Sequence, residues 1–479
     1  MPKSESMKRN IAIIFLLLIQ MHMSFAQRTC GTMEHTKKQL QSNPEYGIAR
    51  KTLANYTSVS KKSYRRSASL FQPQVITIPV VVHIVLPHPE IITDEQVASQ
   101  IEVLNRDFRN LNTETPPEEF QDEDADTEIE FRLASIDPEG NSTSGITRTA
   151  TTHEGVFEND DISYTSLGGK DIWNNQRYLN IWVGMIGDMG YSYFPGGDPA
   201  VDGVVITYDA FGISQSNSYN YNRGRTAVHE IGHWFNLEHI WGDEENGGGC
   251  FDSDYVDDTP NQNDADYDCP VHPLYSCETV NMFMNYMDYV NDDCMIMFSN
   301  GQSARMHDAI SGSRTLLPSV VLDQDITDGT HNLTSANFIW AKNTLSNGTS
   351  ISYCAGNGIT LEPGFHAESG SNFIASINNC TELQPSQEEK AILASPQAIA
   401  RESGLMVYPN PSNGTFSIEM LSKCEDSFYE LYDFSGKLIH TDPIVTETTT
   451  VNLSNNKPGI YLLRVINGDQ IEKRKLVFK

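Results

Sequence analysis

The stretch His229-Glu230-Ile231-Gly232-His233-Trp234-Phe235-Asn236-Leu237-Glu238-His239 constrains this chain more than any other. His229 and His233 stand four residues apart, so on a helix both imidazoles leave the same face and can share one metal ion. Glu230 lies next to the first histidine, where its carboxylate reaches a water at such an ion without ligating the ion itself. His239 comes too far around a continuous helix to join them. The helix must therefore break, and Asn236 is the natural pivot, because asparagine tolerates the left-handed conformation that glycine usually supplies. Three neutral imidazoles leave a fourth position open, which is the arrangement of a catalytic rather than a structural zinc.

Where such a site would operate is written in the first residues. Lys8 and Arg9 precede an apolar run from Ile11 to Ile19, and Ser24-Phe25-Ala26 closes it with small residues. Residues 1–26 read as a secretory signal, too short to anchor in a bilayer. Gln27 stands where a lipid-attachment motif at Cys30 would need leucine, so lipidation is disfavoured. The expected mature protein is exported, to the medium or the cell surface, and has no transmembrane segment. Its 33 basic and 63 acidic residues give a net charge of −30. That charge repels a phosphate backbone and excludes a nucleic-acid partner.

The 479 residues are enough for about three domains. Residues 27–66 are polar, with basic pairs at Lys61-Lys62 and Arg65-Arg66, and read as a removable pro-segment. Over 67–318 the pattern is mixed. The β-branched run from Val75 to Leu86 predicts a buried strand, and Thr93 caps a helix carrying Val97, Ile101, Leu104 and Phe108. Further strands are predicted at Ile129–Ile136, Tyr178–Met185 and Gly203–Tyr208, giving an α/β or α+β domain. Residues 319–380 alternate short β-prone runs with Gly, Asn and Ser, which predicts a small all-β module. A polar linker follows at 381–403, and 404–479 has the strand-and-turn texture of a small β-sandwich. No helical repeat is evident.

Export makes the eight cysteines candidates for disulfides. Cys250, Cys269, Cys277 and Cys294 cluster in one acidic stretch and can make two bridges among themselves. Cys354 and Cys380 bracket a strand-rich segment and can make a third. Cys30 and Cys424 are left over.

Downstream of the histidines lies Asn285-Tyr286-Met287-Asp288-Tyr289. The histidine spacing followed by a Met-containing turn resembles the metzincin clan of zinc peptidases. The strings Thr77-Ile78-Pro79-Val80-Val81-Val82-His83, Gly224-Arg225-Thr226 and His239-Ile240-Trp241-Gly242-Asp243 resemble its pappalysin (cytophagalysin) family in particular. Asn236 replaces the glycine of the clan motif. The resemblance implies a metzincin-like catalytic domain and a secreted zinc endopeptidase. In it Glu230 acts as general base on the zinc-held water, and Tyr289 hydrogen-bonds the oxyanion of the tetrahedral intermediate. Met287 would form a hydrophobic floor under the zinc ligands His229, His233 and His239. The resemblance also implies a structural calcium ion, for which Asp254, Val256 and Thr259 are the candidate ligands. It pairs Cys250 with Cys277 and Cys269 with Cys294. Asp293 would select Arg or Lys after the scissile bond. Cys30, within Arg28-Thr29-Cys30-Gly31, resembles the inhibitory cysteine of such zymogens, whose thiolate fills the open zinc position. Tyr64-Arg65-Arg66-Ser67 is then a site for activating cleavage.

The tail carries a second resemblance. Val407-Tyr408-Pro409-Asn410-Pro411-Ser412-Asn413-Gly414, Leu431-Tyr432-Asp433 and Pro458-Gly459-Ile460-Tyr461-Leu462 are similar to the type IX secretion sorting domain of Bacteroidota. That implies passage through the periplasm and engagement of the type IX secretion machinery. Two other readings stand beside the peptidase: a surface adhesin or glycan-binding protein with a vestigial metal site, and a zinc amidase acting on non-peptide amides. Intact Glu230 argues against the adhesin, since a site that merely holds metal has no use for that carboxylate.

Overall fold

A computed structural model describes residues 28–43, 46, 47, 50, 75–214, 220–243, 248–315 and 317–377. Toward the C-terminus it describes 405–408, 414–420, 427–433, 437–444, 448–453, 456–457, 459–467 and 470–478. The signal segment 1–26, the basic residues at 61–66, the linker 381–403, Cys380 and Cys424 lie outside the described residues. The chain divides into two compact units, Met1–Gln384 and Pro385–Lys479.

Strand β1 (Ile76–Leu86) is apolar almost throughout and is buried from Thr77 onward, as expected of a strand covered on both faces. Its alternate residues Ile78, Val80, Val82, Ile84 and Leu86 enter the main core, while Val81, His83 and Val85 point the other way. β2 (Ile129–Leu133) pairs with the first half of one edge of β1, and β3 (Ile146–Ala150) with the second half of β1. β4 (Leu179–Gly184) pairs with β1 in parallel, β6 (Val204–Thr207) with β4 in parallel, and β5 (Gly190–Ser192) closes the edge antiparallel to β6. The β3 and β5 strands carry no strong signal in the sequence, β5 being only three residues long and β3 largely polar and half-exposed.

Helices cover the main core. After α1 (Thr32–Ser42), α2 (Asp94–Phe108) begins at Thr93, whose side chain accepts the amide of Gln96, and buries Val97, Leu104 and Phe108. α3 (Arg225–Trp234) is buried along its whole length. α4 (Asn300–Ser313) starts with a capping box between Ser299 and Gln302.

Residues 319–377 form a parallel β-coil. Val320–Leu322, Phe338–Ala341 and Gly358–Leu361 stack in one ladder, and Thr330–Ser335, Ser350–Ala355 and Asn372–Ile377 in another. Each rung places its residues on those of the last: Val320 on Ile339 on Ile359. Ile339, Ala341, Leu345, Ile351 and Tyr353 fill its interior. Its outer face packs on the β1 sheet through Phe338 and Trp340, which share a cluster with Val81, Ala134 and Tyr178. The Trp340 indole donates to Ser135 Oγ at 2.9 Å, and Arg132 pairs with Glu362. In the second unit two antiparallel sheets share one core, Phe416, Ile418 and Val451 from one and Tyr429, Leu431 and Leu463 from the other, which makes a sandwich.

Candidate metal centre

α3 carries His229 and His233 and stops at Phe235. Asn236 then takes a φ of +74°, and the Leu237 amide returns to Gly232 O at 3.0 Å. This turn swings His239 back. Nε2 of His233 lies 3.2 Å from Nε2 of His229 and 3.1 Å from Nε2 of His239. Each Nδ1 is committed elsewhere: His229 to Tyr286 O at 2.7 Å, His233 to Leu237 O at 2.7 Å, His239 to Asp243 Oδ1 at 2.6 Å. A carbonyl or an ionised carboxylate only accepts, so Nδ1 carries the proton and Nε2 presents a bare lone pair. Burial, then the neighbouring imidazoles, holds His229 and His233 far below the usual histidine range, and burial brings His239 down to about 3. Three neutral, desolvated nitrogen donors facing one another fit a bound zinc ion.

Close packing fixes the platform beneath. Met287 is fully buried, and a Cβ at position 232 would come within 2.4 Å of its Sδ, so any larger residue there would displace the methionine. Asn285 Oδ1 accepts the Met287 amide and ties the turn. The Tyr289 ring lies 5.1 Å from that of His239 and 5.7 Å from that of His229, and burial raises its hydroxyl well above the usual range. Trp241 stacks on His239 at 4.4 Å.

The N-terminal segment closes over this group. Met189 N donates to Thr29 O, Gly31 N donates to Gly190 O, and Ser192 N donates to the Thr32 hydroxyl, so residues 29–32 run beside β5 in parallel. Cys30 Sγ is thereby placed with the three histidine donors, all four ligand atoms lying within 4.8 Å of one another. Glu230 Oε2 accepts from Thr32 Oγ1 at 3.0 Å and stands 3.5 Å from Cys30 Sγ. Burial raises the Glu230 carboxyl to about 8, and burial together with Glu230 pushes the Cys30 thiol well up.

Two arginines pin the segment. Arg28 reaches Asp292 Oδ1 at 2.5 Å, with both side chains almost wholly buried, and lies 4.9 Å over the Tyr221 ring. Arg50 reaches Glu238 Oε1 at 2.6 Å and lies 4.0 Å over the Phe194 ring.

Asp293 does not face this interior. It pairs with Arg223 at 2.5 Å, and both side chains are largely exposed. Its neighbour Asp292 turns inward and also accepts the amides of Arg223 and Arg225. In the acidic loop, the Thr259 hydroxyl lies 2.8 Å from each oxygen of Asp254 and 3.0 Å from Val256 O, and burial raises Asp254 to about 8. Disulfides join Cys250 to Cys277 and Cys269 to Cys294. Cys354 is disulfide-bonded, and its expected partner Cys380 is outside the described residues. Cys30 is the free cysteine among the described residues.

Reasoning from sequence passed over Asp243, Asp292, Arg28 and the Arg50–Glu238 pair. Asp243 had a local signal, standing four residues after His239. Arg28 and Asp292 are 264 positions apart and had none.

The chain is similar to known peptidases and, at its end, to a known sorting domain. Residues 164–311 fit the peptidase family described as pregnancy-associated plasma protein-A, and 406–479 fit the secretion system C-terminal sorting domain. An extracellular metalloprotease of Pyricularia oryzae is 30% identical over 295 residues, spanning 58% of this chain and 86% of that protein. One from Arthroderma gypseum is 29% identical over 293 residues, spanning 59% and 83%. A solved structure of a promirolysin mutant from Tannerella forsythia is 39% identical, with a TM-score of 0.51, over 60% of this chain and 95% of that one.

Proposed function

The chain belongs to the pappalysin family of metallopeptidases, and from that premise we propose that it is the zymogen of a secreted zinc endopeptidase that cuts before basic residues. The observation that carries this reading is the convergence of three bare Nε2 lone pairs beside Glu230, with Cys30 inserted among them.

His229, His233 and His239 would hold the zinc, and Tyr286 O, Leu237 O and Asp243 orient them. When bound, zinc supplies Lewis acidity that polarises a peptide carbonyl and makes water easier to deprotonate. Glu230 takes a proton from the attacking water on its carboxylate and returns it to the leaving amine. The Tyr289 hydroxyl, kept protonated by burial, donates to the developing oxyanion. Met287 supports the histidines from below. Residues 27–66 act as the pro-segment, and cleavage near Tyr64-Arg65-Arg66-Ser67 releases it. Residues 67–318 are the catalytic domain.

The preference for arginine or lysine after the scissile bond is supported by Arg28. A buried guanidinium on Asp292, stacked on Tyr221, marks a pocket built for a basic side chain. Asp292 is then the base of the pocket, and Asp293 with Arg223 forms its rim. Asp254, Val256 and Thr259 offer calcium three oxygen donors from one loop, the donor type it prefers. Residues 404–479 hand the chain to the type IX secretion machinery, after an N-terminal signal has taken it to the periplasm.

The test is cleavage of a peptide mixture by the protein after removal of the pro-segment, with and without chelator, beside Glu230→Ala. Chelator-sensitive cutting that Glu230→Ala abolishes while retaining zinc supports the reading. Zinc-loaded mature protein that cuts nothing would overturn it in favour of a binding protein.

A further inference from the structure

We infer that the pocket plugged by Arg50 is a second recognition pocket of the mature enzyme, taking an arginine or lysine side chain that precedes the scissile bond. It rests on the peptidase reading above and adds a second specificity element to it.

Placement comes first. From Thr29 to Thr32 the pro-segment runs beside β5, and farther on His35 contacts Tyr193 and Gln39 accepts the amide of Asp198. Arg28 thus lies before Cys30 on this path, and α1 and Arg50 lie after it. Arg50 comes to rest on Phe194, two residues beyond β5. The Phe194 ring meets the His233 ring edge to face at 5.4 Å, so this pocket adjoins the metal centre. The two arginines therefore flank the histidines, one to each side of Cys30.

The chemistry is repeated on both sides. Arg28 has a carboxylate at its tip and a tyrosine face along its guanidinium, and Arg50 has Glu238 and the face of Phe194. The Glu238 side chain is 5% exposed and that of Arg50 11% exposed, so the arginine covers the acid. Arg305 holds Glu238 from the scaffold side, its Nη2 at 3.7 Å, while its Nε donates to Asn236 O at 2.6 Å. When the pro-segment leaves, Glu238 stays where it is and loses its cover and one of its cations. A carboxylate partly buried beside an aromatic face then favours capture of another guanidinium or ammonium group.

The experiment uses mature enzyme with its zinc content measured. Peptides keep Arg after the cut and carry Arg, Lys, citrulline or norleucine at each position before it. Wild type should cut the Arg form at one preceding position roughly tenfold better in kcat/KM than the citrulline form. Glu238→Gln should reduce that advantage to about twofold, with norleucine peptides cut at the wild-type rate and zinc unchanged. If Glu238→Gln loses zinc or fails to fold, Phe194→Leu, which leaves the carboxylate in place, should lower the Arg advantage about threefold. A wild type indifferent to charge before the bond, or variants that keep the full preference, would show that Arg50 is a latch and nothing more. Zinc-loaded wild type that cuts no peptide overturns the peptidase reading and this one with it, an outcome distinct from cleavage without the second preference.

Discussion

Cys30 Sγ stands 3.5 Å from Glu230 Oε2, with the ligand nitrogens of His229, His233 and His239 close by. Cys30 thus stands both among the three histidine donors and beside Glu230, the proposed general base. The Cys30→Ala full chain should show at least about tenfold more peptidase activity than wild type before any cleavage, because alanine supplies no zinc ligand. It should also shorten itself during purification. A Cys30→Ala zymogen as silent as wild type would mean that Arg28, Arg50 and α1 suffice for latency.

Asp292 and Asp293 are adjacent in sequence and opposite in burial. Asp292→Asn should lower kcat/KM for peptides with Arg after the bond by roughly 100-fold, since a buried guanidinium loses its charged partner. Asp293→Asn should change it less than about threefold, because an exposed ion pair contributes little. Equal losses in both variants would refute the assignment.

Calcium at Asp254, Val256 and Thr259 would bind the folded chain and not the unfolded one, so thermal stability should rise with calcium concentration. Asp254→Asn should abolish that rise. A melting temperature independent of calcium in the wild type removes the site.

His83 is buried under Trp182, bonded to Asn180 and Thr147, and burial lowers its pKa from 6.5 to about 4. Between those values the unfolded chain binds more protons, so stability rises with pH from about 4 to 6.5 and is lost as pH falls. The window corresponds to about 3 kcal/mol. His83→Gln should flatten the pH dependence of stability over that range relative to wild type, as followed by denaturant unfolding. Parallel curves would reject the assignment.

Trp340 belongs to the β-coil yet shares a buried cluster with Val81 of β1 and with Tyr178, next to β4. Trp340→Ala should cost about 3–5 kcal/mol. Amide exchange in β1 should accelerate along with that of the coil. Unchanged protection of β1 would show that the coil is an independent appendage.

Much of the architecture was legible because it is locally patterned. A continuous β-branched run wrote β1, the spacing of Val97, Leu104 and Phe108 wrote α2, and the histidine spacing with Asn236 wrote the broken helix. β5 was not legible because three residues are too few for a pattern, and β3 because its residues are largely polar and half-exposed. The parallel character of the coil was hidden as well. Its rungs are matched by position, as in Ile339 on Ile359, while the residues at neighbouring positions differ.

What the sequence by itself determined is the chemistry available: three histidines and a glutamate within eleven residues of one broken helix, a methionine turn, a cysteine in a polar leader and the sorting tail. These are local, and local geometry follows from backbone spacing. Only the tertiary structure decided which acid meets which base. Arg28 chose Asp292 over Asp293, Arg50 chose Glu238, and Cys30 came to Glu230 across 200 positions. Such pairings depend on which side chain a fold turns inward, where loss of water makes a charge demand its partner, and no spacing along the chain encodes that.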